Sequence, residues 1–291
     1  MDQALNLRRI KKVDTMATLP RKPKVRVIAV TSGKGGVGKT NISANLAYSL
    51  AQKKKRALVF DADTGLANID LLLGLTPKYN LYHVLAGEKR IEEILVQGPG
   101  GLMVLPSASG ILEMVDLTSG QKMTLLTELN TLRDSLDYML IDTAAGVTGN
   151  VMYFNAAARE IIVVVSPEPT SLTDAYALIK LLFRHHAKKR FRVLVNMVKT
   201  ATEAKEVYSR LSEATDHFLN VSVEYLGYIL WDDNLPKAVK KQVALMELYP
   251  QSPASRCIAR LADKLCKEEI DDESDGNIEF FWEGILVPRD G

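Results

Sequence analysis

Gly33-Lys34-Gly35-Gly36-Val37-Gly38-Lys39-Thr40 stands between an apolar, β-branched run, Val25 to Thr31, and a helical segment, Asn41 to Gln52. The octapeptide fits G-x-x-x-x-G-K-[ST], and the order strand, glycine loop, helix is the context that this pattern requires. Glycines admit positive φ and let successive backbone N–H groups face inward around phosphate oxygens, while the helix N-terminus adds partial positive charge. The stretch therefore predicts a nucleotide site in which Gly33, Lys34, Gly35, Gly36, Val37, Gly38, Lys39, Thr40 and Asn41 cradle the phosphates. Lys39 reaches the β- and γ-phosphates, and the Thr40 hydroxyl ligates Mg²⁺. A ligand-free glycine turn is the plain alternative.

Working outward, short β-branched runs alternate with helical segments: Val25 to Thr31, Ala57 to Ala62, Leu102 to Pro106, Tyr138 to Thr143, Glu160 to Ser166, Arg192 to Met197 and Val223 to Leu230. That alternation predicts an α/β fold, doubly wound, with a mostly parallel sheet flanked by helices on both faces. VIAV, IIVVV and VLV are apolar at consecutive positions, so the middle of the sheet should be covered on both sides.

Hydrolysis needs acids around the phosphates. Tyr138 to Thr143 is a mostly apolar run carrying Asp142 near its end, the position from which an acid holds Mg²⁺ through water. Phe60-Asp61-Ala62-Asp63 sets two more carboxylates at the end of the second strand, on one face by strand alternation. A strand-end Asp also serves as a helix N-cap, and that reading stays open for each. Asn196 follows Val193-Leu194-Val195, and a turn-capping role is open to it.

One phosphate group is served by one lysine of its own chain, so Lys34 needs another role; a solvated loop lysine is the simpler option. With this second lysine in GKGGVGKT, the chain resembles the deviant Walker A ATPases (the MinD, ParA and nitrogenase iron-protein group). The resemblance implies slow Mg²⁺-dependent ATP hydrolysis to ADP in an ATP-dependent homodimer, with Lys34 reaching across to the partner's nucleotide. It gives Asp63 the attacking water, within a switch I segment Asp61 to Asp70, and has Asp61 support the Mg²⁺ shell. Thr143-Ala144-Ala145-Gly146 becomes switch II, and the Asn196 amide reads adenine. Three segments narrow the match: Asp61 to Leu75, Pro167 to Lys180, and Asn277 to Glu283. Together they resemble the FlhG (FleN, YlxH) family of MinD-like regulators of flagellar number and position. Asp2-Gln3-Ala4-Leu5-Asn6-Leu7-Arg8 matches that family's DQAxxLR motif, which implies that the arm, through Asp2, Gln3 and Arg8, stimulates an FlhF-type signal-recognition-particle GTPase. Flagellar C-ring components and a flagellar transcription activator are further partners implied by the resemblance.

With 291 residues, 47% hydrophobic, the chain suits one large domain with tails. Residues 1–24, with seven Lys/Arg against two Asp, read as a basic arm; 25–267 as the ATPase domain; 268–277 as an acidic linker; and 278–291 as a C-terminal amphipathic segment. Ile278, Phe281, Trp282, Ile285 and Leu286 recur at i, i+3, i+4, i+7 and i+8, so Phe281, Trp282, Ile285 and Leu286 would meet peripheral membrane lipid, or pack on the ATPase body instead. No apolar leader and no run of eighteen apolar residues occurs, so the chain is expected in the cytoplasm, and the resemblance to MinD implies a peripheral place on the inner face of the cell membrane. A net charge of +2 gives no ground for specific nucleic acid binding, and so argues against a ParA-like DNA segregation role. Cys257 and Cys266 lack metal-site spacing, which argues against an iron–sulfur carrier and leaves two half-buried thiols.

Overall fold

A computed structural model describes residues 25–63, 68–107 and 117–268. The basic arm, the C-terminal segment, most of the acidic linker and Thr64 to Ala67 of switch I lie outside the described residues.

The eight strands β1 (Arg26–Ser32), β2 (Ala57–Ala62), β3 (Val96–Gln97), β4 (Met103–Leu105), β5 (Tyr138–Ala145), β6 (Glu160–Val165), β7 (Arg190–Val198) and β8 (Ser222–Leu230) form one sheet, in the order β3-β4-β2-β5-β1-β6-β7-β8. Every neighbouring pair is parallel except β3 and β4. The seven runs read from sequence are seven of these strands, with boundaries shifted by up to two residues. β3 went unread because two residues cannot display a period. It is made by a tight reversal, in which the Gly98 N–H bonds the Leu102 carbonyl at 2.7 Å.

Strand alternation sends side chains to two separate layers. Ile28 and Val30 of β1, Ala57 and Val59 of β2, and Leu194 of β7 pack with the helices Lys39–Gln52 and Pro253–Lys267 on one face. Val27, Ala29, Leu58 and Phe60 meet the helices Ser119–Thr131 and Gly149–Ala157 on the other. There Phe60 and Phe154 pack edge to face, with centroids 5.3 Å apart. Val163, Val193 and Val195 extend this second face under the helices Pro169–His186 and Ala201–Phe218. Each fully buried Leu, Ile or Phe contributes about 1.5 to 3 kcal/mol, so consecutive apolar residues are the expected composition of a sheet covered twice.

Because seven strands run the same way, all of them begin at one end of the molecule and finish at the other. The starting end is closed by ion pairs: buried Arg26 bonds Glu160 through Nε at 2.5 Å and Glu268 through Nη2 at 2.9 Å, and Arg192 reaches Glu268 at 2.7 Å. Charges this deep are tolerated because each guanidinium meets carboxylates in hydrogen-bonding geometry. The finishing end holds the loops, where ligands of open α/β sheets are held.

Candidate nucleotide site

β1 ends at Ser32 and the helix Lys39–Gln52 begins seven residues later, its N-cap being Gly38 in the left-handed region at φ 89°. Two glycines are dictated by contact. A Cβ at Gly33 would fall 2.2 Å from the Asp174 backbone, and one at Gly38 would fall 2.5 Å from Asn196 Nδ2. The loop is thus pressed between the helix Pro169–His186 and the end of β7, leaving room for backbone alone.

Lys39 is buried, and its ammonium donates to Ser32 Oγ at 2.9 Å, while that hydroxyl donates to the Lys34 carbonyl at 2.7 Å. Burial pushes the Lys39 pKa down, and the charges of Asp142 and Asp63 only partly resist. A desolvated cation near two carboxylates, with a hydroxyl as its sole hydrogen-bond acceptor among the described residues, is poised for an anionic ligand.

Asp142 comes from β5, in parallel register beside Asp61 of β2. Its Oδ1 accepts from Ser43 Oγ at 2.9 Å, while its Oδ2, fully buried, has no hydrogen-bond partner among the described residues. Burial raises its pKa to about 6, against the lowering effect of the Thr40 and Ser43 hydroxyls and of Lys39. An orphaned carboxylate oxygen next to the Thr40 hydroxyl is a donor set that suits a hard divalent cation. Asp61 is occupied differently: Oδ2 accepts the backbone N–H groups of Asn68 and Ile69 at 2.9 and 3.2 Å, and Oδ1 that of Asp63 at 3.2 Å. It caps the short helix Ile69–Leu72 from a distance and ties both ends of the switch I segment. Burial and the neighbouring Asp142 raise its pKa to about 8.

Lys34 points to its own chain, where its ammonium pairs with Glu168 and donates to Thr170 Oγ1 at 3.0 Å. The buried Asn196 amide donates to the Val37 carbonyl at 2.8 Å, and lines a crevice with Asn41, Asn45, Ile229 and Leu235. The structure therefore gathers Lys39, Thr40, Asp61, Asp63, Asp142 and Asn196 about one loop. Sequence reading missed Ser32, Ser43, Glu168 and Thr170. For Ser43 a signal exists: it lies one helical turn beyond Lys39 and Thr40, on their face. Cys257 is buried, Cys266 partly so, and both are free.

Residues 25–194 match the family model described as an AAA domain. The chain is 46% identical over 262 residues to the antiactivator FleN of Pseudomonas aeruginosa, covering 90% of this chain and 94% of that protein. It is 36% identical over 245 residues to the flagellum site-determining protein YlxH of Helicobacter pylori, covering 84% and 83%. Among solved structures it resembles the septum site-determining protein MinD from Pyrococcus horikoshii complexed with Mg-ADP, with TM-score 0.67, 26% identity, and coverage of 84% of this chain and 96% of that one.

Proposed function

The chain belongs to the MinD-like P-loop ATPases, in the group that holds FleN and YlxH, and from this premise we propose that it is an ATP-driven switch that regulates flagellar number or position. The observation that carries the nucleotide part is the buried, unpartnered Oδ2 of Asp142 beside Lys39 and Thr40. The flagellar part rests on the similarity to FleN and YlxH.

In this reading the backbone N–H groups of Gly33 to Thr40 and the Lys39 ammonium hold the phosphates of ATP or ADP, and Asn196 and Asn41 border the adenine. Mg²⁺ would be held by Thr40 and Asp142, where it would neutralise charge on the β- and γ-phosphates. Asp61, with both oxygens engaged by backbone N–H groups, keeps switch I in place behind that shell. Asp63 orients the attacking water. Lys34 leaves Glu168 and Thr170 to meet the nucleotide of a second copy, so the ATP state is a homodimer and hydrolysis returns monomers. The C-terminal segment, Phe281 to Leu286, then contacts lipid at the inner face of the membrane in the dimer, and the arm, through Asp2, Gln3 and Arg8, acts on an FlhF-type GTPase. C-ring components and a flagellar transcription activator are its remaining partners. No helix of the described residues is long and apolar enough to cross a membrane.

The test pairs two measurements. Lys39→Ala should lose ATP binding in calorimetry while keeping its circular dichroism spectrum. Cells carrying Lys39→Ala as their only copy should show altered flagellar number or placement under the electron microscope. ATP bound with parental affinity would refute the site, and unaltered flagellation the role.

A further inference from the structure

Ser32, the last residue of β1, is fully buried. Its carbonyl accepts the Gly146 N–H at 3.0 Å, which ties the strand to the segment after β5. Its hydroxyl has one proton, and that proton is committed to the Lys34 carbonyl at 2.7 Å. The oxygen lone pairs are left to the Lys39 ammonium, which donates to them at 2.9 Å.

Lys39 has a stronger acceptor at hand. Ser43 lies one helical turn after Lys39, and its hydroxyl donates to Asp142 Oδ1 at 2.9 Å, so the carboxylate stands beside the turn from which the Lys39 side chain springs. The two charges feel each other. Burial pushes the Lys39 pKa down and the Asp142 charge draws it back up, while burial raises Asp142 and Lys39 helps to lower it. They nevertheless stay unjoined: Asp142 Oδ2 is fully buried with no hydrogen-bond partner among the described residues, and the ammonium's one acceptor among them is Ser32 Oγ. Opposite charges in a buried site attract more strongly than a hydroxyl attracts a cation, so their separation has to be built in. Each charge is held by a serine, Lys39 by Ser32 and Asp142 by Ser43.

We propose that Ser32 is a positioning residue that keeps Lys39 from closing onto Asp142. With that ion pair prevented, the ammonium stays available to phosphate oxygens and Asp142 Oδ2 to a divalent cation, an inference that rests on the nucleotide site proposed above. A lysine already joined to this carboxylate would have to leave a buried pair before the site could take up a magnesium nucleotide.

A double-mutant cycle on the full chain, read by urea unfolding at pH 8 without nucleotide, tests the separation itself. Beside Asp142, Ser32→Ala loses one hydrogen bond and gains an ion pair; in an Asp142→Asn background it only loses. The change that Ser32→Ala makes in the folding equilibrium constant should therefore be at least about tenfold more favourable beside Asp142 than beside the asparagine, within the range of coupled neighbours. In calorimetry, Ser32→Ala should bind ADP with Mg²⁺ at least about fivefold more weakly than the parent, because a buried pair must open first. Ser32→Cys, which nearly keeps the volume and offers a weaker acceptor, should fall between serine and alanine in both measurements, and it carries the test if the alanine variant does not fold. Equal effects of the Ser32 change in the two backgrounds, or magnesium nucleotide bound as tightly as by the parent, would overturn the proposal. A parent that binds no nucleotide would instead refute the site, and the unfolding cycle, which uses none, would still decide whether Ser32 holds the two charges apart.

Discussion

The Asn196 amide reaches over Gly38 to bond the Val37 carbonyl at 2.8 Å, so close that a Cβ on Gly38 would meet Nδ2 at 2.5 Å. The glycine is required twice, by this contact and by its φ of 89°. Gly38→Ala should therefore destabilise the chain by about 1 to 3 kcal/mol in urea unfolding, the scale of a non-glycine residue forced into a strained backbone. Removing the amide relieves only one of the two faults. Gly38→Ala with Asn196→Ala should consequently be more stable than the sum of the single changes, and strict additivity would refute the contact.

Lys34 and Glu168 form an ion pair that is more than a third exposed on both sides, and such pairs contribute little to folding. Lys34→Ala and Glu168→Gln should each shift the unfolding midpoint by no more than the equivalent of about 1 kcal/mol. Their effects on assembly should diverge. With ATP, Lys34→Ala remains monomeric in light scattering, whereas Glu168→Gln dimerises at least as readily as the parent, since its lysine is no longer held at home. A dimer of Lys34→Ala would return this lysine to a local role.

Asp63 bears on both Lys39 and Asp142 electrostatically. Asp63→Ala should keep nucleotide affinity within a few-fold and lower ATP turnover at least about a hundredfold, the scale of losing a group that positions water. Steady-state phosphate release measures it, and unchanged turnover would remove Asp63 from the reaction.

Asp142 and Asp61 make the nucleotide-free protein sensitive to pH. Burial raises Asp142 from 3.8 to about 6, and burial with the Asp142 charge raises Asp61 from 3.8 to about 8. Between pH 4 and 8 the folded chain then binds more protons than the unfolded one, so these two groups lower stability as pH rises. Asp142→Asn keeps an acceptor for Ser43 and removes one share of that loss. A shift of about two units corresponds to about 3 kcal/mol, so the variant should gain up to that much over the parent at pH 8 and nothing at pH 4. Urea unfolding at pH 4, 6 and 8 decides it; parallel curves would show that Asp142 is not the titrating group.

The layered fold was legible because it is written locally: runs such as Ile161 to Val165 announce a strand covered on both faces, and the GKGGVGKT loop announces the turn between β1 and its helix. What stayed hidden depends on contacts between distant segments. No pattern near Lys34 reports that Glu168, 134 positions away, stands beside it. Strand alternation put Asp61 and Asp63 on one face, but could not say that the Asp61 oxygens would be taken by the backbone of Asn68 and Ile69. Arg26 and Arg192 read as ordinary strand residues, since their carboxylate partners come from three separate elements.

The place of β1 in the sheet also sets a timetable for synthesis. Its neighbours are β5 and β6, so the strand that carries the glycine loop has nothing to pair with until Ala145 has left the ribosome. At roughly 5 to 20 residues per second that wait is on the order of ten seconds. During it, an apolar strand lies open to chaperones and to neighbouring nascent chains. Arg26 waits longer, until Glu268 is made, before its last carboxylate arrives. A ribosome paused between these two points should therefore hold a chain with β1 paired to β5 and its strand-start end still unsealed.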